Sequence, residues 1–293
     1  MKRFRHLYIY TLLRGFLVFF KIIPRGLALS LGKLIGVIVF KFSKEARRVS
    51  FENLRFLYPS VKSPGQKRNL VINNFKEVGK NLIDMLRLTK YRNGTLDRIV
   101  ALKNGNNIRK LMDRGKGLIV ITAHLGCWEL IPAFFSQNDY TVNVIAREVY
   151  DKNVNREVNR IRECFNIRII DKARAPIVAL KRLLRGEGVG ILMDQNTKTN
   201  SVSIDFLGHK ANTPIGPAYL ALKTGAPVLP VAIHRLKDDS HLIEVGEEVS
   251  ISRSGDFETD LFENTQRFSK AIERFIVNHP EEWVWFHKRW DHT

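Results

Sequence analysis

The apolar positions of this chain change their period partway along it. Up to residue 42 they form an almost continuous apolar and aromatic run, broken at Pro24-Arg25-Gly26 into two helical pieces. From 43 to about 97 the pattern is helical and basic, with a turn near 59–65. There Phe75, Val78, Leu82 and Met85 fall at helical spacing and predict an amphipathic face. Beyond residue 111 short apolar runs alternate with helical stretches. The runs at 118–122, 142–146, 167–170, 189–193, 228–233 and 242–245 predict strands. Between them Val154, Val158, Ile161 and Phe165 make one helical stripe, and 177–184, 215–222 and 259–277 make others. Strands alternating with helices predict an α/β fold, a sheet with helices over its faces. "DFLG" (205–208) and "TPIGP" (213–217) read as loops. With no repeat and no linker, the economical division is a membrane-anchoring helical region at 1–42 and one large domain at 43–293.

Two of the strand ends carry polar chemistry. "GLIVITAHLGCWEL" (117–130) runs from a buried strand pattern into His124, with Glu129 five residues later. The carboxyl ends of parallel strands are where open α/β sheets place ligands. A neutral imidazole is the natural general base near neutral pH, and a carboxylate on its other nitrogen fixes the tautomer. The bland alternative is a hydrogen-bonded core histidine. Cys127 is a nucleophile, a metal ligand beside His124, or packing; nothing nearby completes a ligand set, and packing is preferred. The 189–193 run ends in Asp194-Gln195-Asn196, which in a parallel sheet lie at the same edge as His124; the alternative is a solvated turn or helix cap. Arg147 follows the 142–146 strand, and Arg156 and Arg160 stand one helical turn apart. Arginine forks suit phosphate, though a solvated helix face is the commoner explanation for any one of them; Arg147 is the best functional candidate, because its strand end puts it beside His124. Near the end, Trp283, Trp285 and Trp290 alternate with His287, Lys288 and Arg289. That pattern fits base stacking, a membrane interface or a docked terminal segment.

Charge narrows the choice of partner. Forty-eight Lys+Arg against 29 Asp+Glu give a formal net charge of +19, which calls for an anionic partner: nucleic acid, a membrane surface or a phosphorylated substrate. Two cysteines give no disulfide framework and fit a reducing compartment. The apolar stretch at 7–23 approaches the roughly 20 residues of a spanning helix. Arg14 and Lys21 interrupt it and Pro24 ends it, which leaves spanning and interfacial helices both open. A cleaved signal peptide competes through the basic MKRFR start but fits the internal arginine poorly.

In order along the chain, "HLGCWE", Arg147, "MDQN", "FLG", "NTPIGPAYLALKTGAPVLPV" and "HPEEWVWFHKRW" resemble the late acyltransferases of lipid A biosynthesis, the lauroyl- and myristoyl-transferases of Gram-negative inner membranes. The resemblance implies a mixed, largely parallel central sheet flanked by helices, similar to glycerolipid acyltransferases, behind an apolar membrane-anchoring helical region. It implies transfer of a fatty acyl group from acyl carrier protein to a hydroxyl of a phosphorylated lipid A precursor, at the cytoplasmic face of the inner membrane. Under it His124 is the base of an HX4E motif supported by Glu129. Arg147 binds a phosphate or helps to hold the oxyanion, and Asp194 and Gln195 shape the site or hold Arg147; Arg156 and Arg160 join them as phosphate-binding candidates by their spacing alone. No metal or other cofactor is expected, and no nucleic acid. The alternatives are another glycolipid or lysophospholipid acceptor and, from another class, a basic nucleic-acid-binding protein with a structural His124.

Overall fold

The computed structural model describes residues 14–58, 63–92, 94–146 and 151–290. Four helices come first: α1 (14–22), α2 (Arg25–Phe42), α3 (Lys44–Leu57) and α4 (Pro64–Arg87). Pro24 separates α1 from α2 as the break in the pattern predicts. α4 opens with a capping box, Ser63 taking the Gln66 backbone N–H while the Gln66 side chain takes that of Ser63. α2 lies against α4 at very short range, because a Cβ on Gly36 would fall 2.1 Å from the Phe75 carbonyl oxygen and one on Gly79 2.1 Å from that of Gly32. The buried face of α4 is therefore Val71, Phe75, Gly79 and Ile83. Leu82, expected on that face, is 42% exposed, since close packing selects the glycine side of the helix.

Alternation then begins: β1 (Val100–Lys103), α5 (Asn106–Met112), β2 (Leu118–Thr122), α6 (Leu130–Gln137), β3 (Val142–Ala146), α7 (Lys152–Glu163), β4 (Arg168–Asp171) and α8 (Ala175–Leu183). It continues with β5 (Gly188–Leu192), β6 (Ser201–Phe206), β7 (His209–Pro214), α9 (Gly216–Thr224), β8 (Val228–Arg235), β9 (His241–Val245) and α10 (Phe257–Asn278). Seven strands form one sheet in the order β1-β9-β8-β2-β5-β3-β4. From β8 to β4 every pair is parallel; β9 runs antiparallel to β8, and β1 is parallel to β9. The sheet is mixed and largely parallel, as expected. Central β8 is buried along its whole length and β2 nearly so, which is why both read as unbroken apolar runs. Ile119, Ile121, Val189 and Ile191 pack with α8, α9 and α10 on one face. Leu118, Val231 and Ile233 pack with α6 and Ile161 of α7 on the other.

Elsewhere too the structure departs from the expectations. Of the two stretches read as loops, 205–208 is the turn of an antiparallel hairpin, β6–β7, at Leu207 and Gly208, both with positive φ, and 213–217 is the end of β7 and the start of α9. β1 was not among the expected strands: its apolar run, Val100 to Leu102, is short, and three of its four residues are exposed. At the N-terminus, no single described helix is long and apolar enough to cross a membrane. Only α2 and α3 together meet that test, bent by 87° at Ser43.

Candidate active site

β2 and β5 are hydrogen-bonded neighbours, with Thr122 opposite Leu192. Continuing that register by two residues brings His124 level with Asp194. There His124 Nδ1 lies 2.8 Å from Asp194 Oδ1, and the His124 backbone N–H donates to Oδ2 at 2.9 Å. A third donor is the indole N–H of Trp283, 2.8 Å from the same Oδ2. Asp194 is thus a buried carboxylate held by three hydrogen bonds. Burial pushes its pKa up, but the charge and hydrogen bonds of His124 and the Trp283 indole bring it down to about 2. For His124, burial works against the charged form. The Asp194 charge and hydrogen bond, with a smaller contribution from the Glu129 charge, outweigh it and raise the imidazole pKa. With Nδ1–H donated to Asp194, the neutral ring keeps its lone pair on Nε2, which has no hydrogen bond among the described residues.

The turn carrying His124 is braced from both sides. Gly126 has φ +58°, and a Cβ there would fall 2.2 Å from the Ile233 carbonyl oxygen on β8, so only glycine fits. The terminal segment clasps the turn: Gly126 N–H donates to the Glu282 carbonyl at 3.1 Å and Val284 N–H to that of His124 at 3.1 Å. Trp283, Trp285 and Trp290 are buried, Trp283 and Trp285 meeting edge to face at 4.7 Å. Asn53 and Asn74 hold the segment's carbonyls at Glu281, Trp283, Trp285 and His287. Of the three readings of the tryptophans, the docked segment is the observed one.

His124 lines a cavity of about 910 Å³, within the ~300–1,000 Å³ range of small-molecule sites. Its wall between the sheet and α6 is apolar: Leu118 and Val120 of β2, Val142 and Val144 of β3, and Ile131 and Phe135. These strand residues share a face with Gly188 and Gly190 of β5, paired to them in register. The two glycines leave open the space that side chains would fill in the middle of the sheet. Polar groups gather at the other end: Glu129, Arg162, Gln195, Asn196 and His287.

Several placements differ from the sequence reading. Glu129 was expected to hydrogen-bond His124; instead its carboxylate is gripped by Arg162, Nε at 3.0 Å and Nη2 at 2.6 Å. Standing at the first turn of α6, it reaches across to α7, while the His124 nitrogen faces the neighbouring strand. Arg156 and Arg160 are exposed on α7 and line no part of the cavity; the arginine that α7 sends inward is Arg162. Arg147 lies outside the described residues. Gln195 lines the cavity beside Asn196, whose backbone N–H donates to His287 Nε2 at 3.3 Å. Burial keeps His287 below the usual histidine range. Cys127 Sγ donates to the Asn81 carbonyl at 3.4 Å, and burial raises its thiol pKa well above normal, which suits packing and not nucleophilic attack. Arg162, Trp283 and His287 had no place in the sequence-based site.

The model of the bacterial lipid A biosynthesis acyltransferases matches residues 1–292. The chain belongs to this family. Among curated relatives, the phosphatidylinositol mannoside acyltransferase of Mycolicibacterium smegmatis is 23% identical over 211 residues, 71% of this chain and 67% of its own length. The lipid A biosynthesis lauroyltransferase of Escherichia coli is 24% identical over 275 residues, 91% of this chain and 86% of its own. Among solved structures, the 1-acyl-sn-glycerophosphate acyltransferase of Thermotoga maritima aligns over 89% of this chain and 99% of its own, with a TM-score of 0.40 and 15% identity. Membership of the family makes the chain an acyltransferase of the lipid A and glycolipid class.

Proposed function

We propose that this acyltransferase moves a fatty acyl group from an acyl carrier protein thioester to a hydroxyl of a phosphorylated lipid A precursor, with His124 as general base. The observation that carries the reading is the His124–Asp194 pair at the wall of a largely apolar cavity. His124 Nε2 takes the proton of the acceptor hydroxyl as its oxygen attacks the thioester carbonyl. When the tetrahedral intermediate collapses, the C–S bond breaks and the imidazolium returns that proton to the departing thiolate. Asp194 fixes the tautomer and stabilises the imidazolium, the task first given to Glu129. Glu129 acts at longer range, adding negative charge near His124 and holding Arg162 at the polar end of the cavity. The apolar wall with its glycine gap suits a hydrocarbon chain. The net charge of +19 suits an acidic carrier, a phosphorylated lipid and an anionic membrane surface.

The reading includes a seat on the cytoplasmic face of the inner membrane. α2 buries Ala28, Gly32 and Gly36 against α4 and exposes Leu27, Leu34, Ile38 and Phe42 on its opposite face. A helix apolar on both faces, continued by exposed Phe19 and Ile22 in α1, fits one side against protein and the other against lipid. The acceptor has a second candidate, another glycolipid, favoured by the mycobacterial relative.

Detergent-solubilised protein given a panel of acyl carrier protein thioesters, with a lipid A precursor, a mannosylated phosphatidylinositol and a lysophospholipid as acceptors, tests the reading by acceptor mass. The lipid A precursor is expected to gain an acyl mass, and His124→Ala to lower its rate by at least ~10²-fold, the usual contribution of general base catalysis. Undiminished transfer by His124→Ala removes the mechanism, and transfer only to the mannolipid replaces the acceptor.

A further inference from the structure

Away from the cavity, His234, Glu244 and His279 meet where β8, β9 and the end of α10 come together. Glu244 stands opposite Ala232 in the β8–β9 ladder, so it shares a sheet face with His234 two residues along. His279 caps the C-terminus of α10, and its ring stacks on that of His234, centroids 3.8 Å apart and planes 13° from parallel. One donor atom from each of the three residues lies within 4.8 Å of the others. His234 is 8% exposed. Among the described residues no hydrogen bond reaches a ring nitrogen of either histidine. Glu244 is met by Lys103 Nζ at 2.7 Å. Burial holds the pKa of both imidazoles down against the raising charge of Glu244.

We propose that His234, Glu244 and His279 bind a divalent transition-metal ion of the zinc class, through two imidazole nitrogens and one carboxylate oxygen. Two nitrogen donors favour Zn²⁺, Co²⁺ or Ni²⁺ over Mg²⁺ and Ca²⁺, which take oxygen sets. Ligands sit ~2.0–2.2 Å from zinc, so binding draws the donors inward, unstacks the rings and frees Glu244 from Lys103. Glu281 comes within that reach of His279 and Glu282 but not of His234 and Glu244, so a water molecule is free to be the fourth ligand. Glu282 is not, since both its oxygens accept the Arg235 backbone N–H.

None of the three ligands lines the cavity, so the ion takes no part in acyl transfer and the proposal stands apart from that reading. Its effect is mechanical. His279 begins the stretch that carries Glu282, Trp283 and Val284 to the His124 turn. An ion joining His279 to β8 and β9 anchors that stretch at its root.

The test uses the full chain without a histidine tag, stripped with chelator and titrated with Co²⁺, whose visible absorption reports low-coordinate nitrogen and oxygen ligation. One equivalent is expected to bind saturably, to be displaced by Zn²⁺, and to raise the melting temperature as any ligand of the native state does. His234→Ala and His279→Ala are expected to weaken binding by more than about tenfold, at or beyond the loss usual for supporting residues. Lys103→Met keeps every ligand and frees Glu244, so it serves if a histidine variant fails to fold, and it binds several-fold more tightly. Absence of saturable Co²⁺ binding overturns the proposal. So does a folded His234→Ala that binds like the parent, or a Lys103→Met that binds no more tightly.

Discussion

At the scale of single residues, the candidate chemistry rests on which carboxylate His124 faces. The strand-end position of His124 is visible in the sequence, because an apolar run that stops at a histidine is a local pattern. Its partner is not local. Glu129 is near in sequence, whereas Asp194 comes 70 residues later and is adjacent only because β5, not β3, pairs with β2. Asp194 was placed at the correct edge, but strand order, which the pattern does not encode, decides the hydrogen bond. Arg162 left no signal, and Trp283, visible in the terminal motif, was not linked to Asp194, for the same reason. The difference can be measured in a pH profile. Asp194 is what lifts the His124 pKa against the downward pull of burial. In the parent, the acid limb of kcat/KM should lie above ~6.5, the unperturbed histidine value. Asp194→Asn removes the lifting charge and leaves burial, so the limb should move to lower pH while the plateau falls by about 10²-fold or more. Glu129→Gln touches His124 only through its charge and should move the limb the same way by less. An unmoved limb in Asp194→Asn would exclude His124 as the titrating base.

At the scale of elements, recovery followed burial. β2 and β8 were read from sequence at or near their observed bounds because their apolar runs are continuous. β1 escaped because its apolar run is only three residues long, and the β6–β7 hairpin because polar residues dilute its pattern. In the hairpin, the Gly208 turn signal between alternating positions was present but was read as a loop. The α4 face was misjudged at Leu82 because hydrophobicity was weighed and closeness was not; the helices meet at glycine. That contact sets the sign of a substitution. Alanine normally favours a helix over glycine by about 1 kcal/mol. At Gly26, where a Cβ meets nothing within 4 Å, Gly26→Ala should be neutral or stabilising. At Gly79, where the Cβ would lie 2.1 Å from the Gly32 carbonyl oxygen, Gly79→Ala should cost about 1–3 kcal/mol through overpacking. Thermal or urea melts of the pair in one detergent check the opposite signs. A stabilised Gly79→Ala would mean that α2 and α4 separate easily.

At the scale of the molecule, two properties that composition announces, apolar N-terminal helices and a strong positive charge, meet on a surface whose behaviour toward lipid can be divided into its parts. Charge attracts from a distance and fades with salt; apolar side chains act on contact and do not. The exposed face of α2 and the end of α1 offer Ile22 at 75% and Phe42 at 73% exposure, each able to gain about 1.5–3 kcal/mol on full burial in an apolar phase. Flotation with vesicles should therefore show tighter binding to anionic phosphatidylglycerol than to neutral phosphatidylcholine. The excess should vanish as salt shortens the Debye length toward ~3 Å near 1 M. Ile22→Asp and Phe42→Asp should each weaken binding to neutral vesicles by roughly 10- to 100-fold, the ratio those energies imply. They should leave the salt-sensitive excess largely in place, because one charge in +19 changes little. If both variants bind neutral vesicles as the parent does, α1 and α2 do not enter lipid. The exposed face of α2 would then be free for a protein partner, and a hydrophobic acceptor would have to be delivered to the cavity by some other surface.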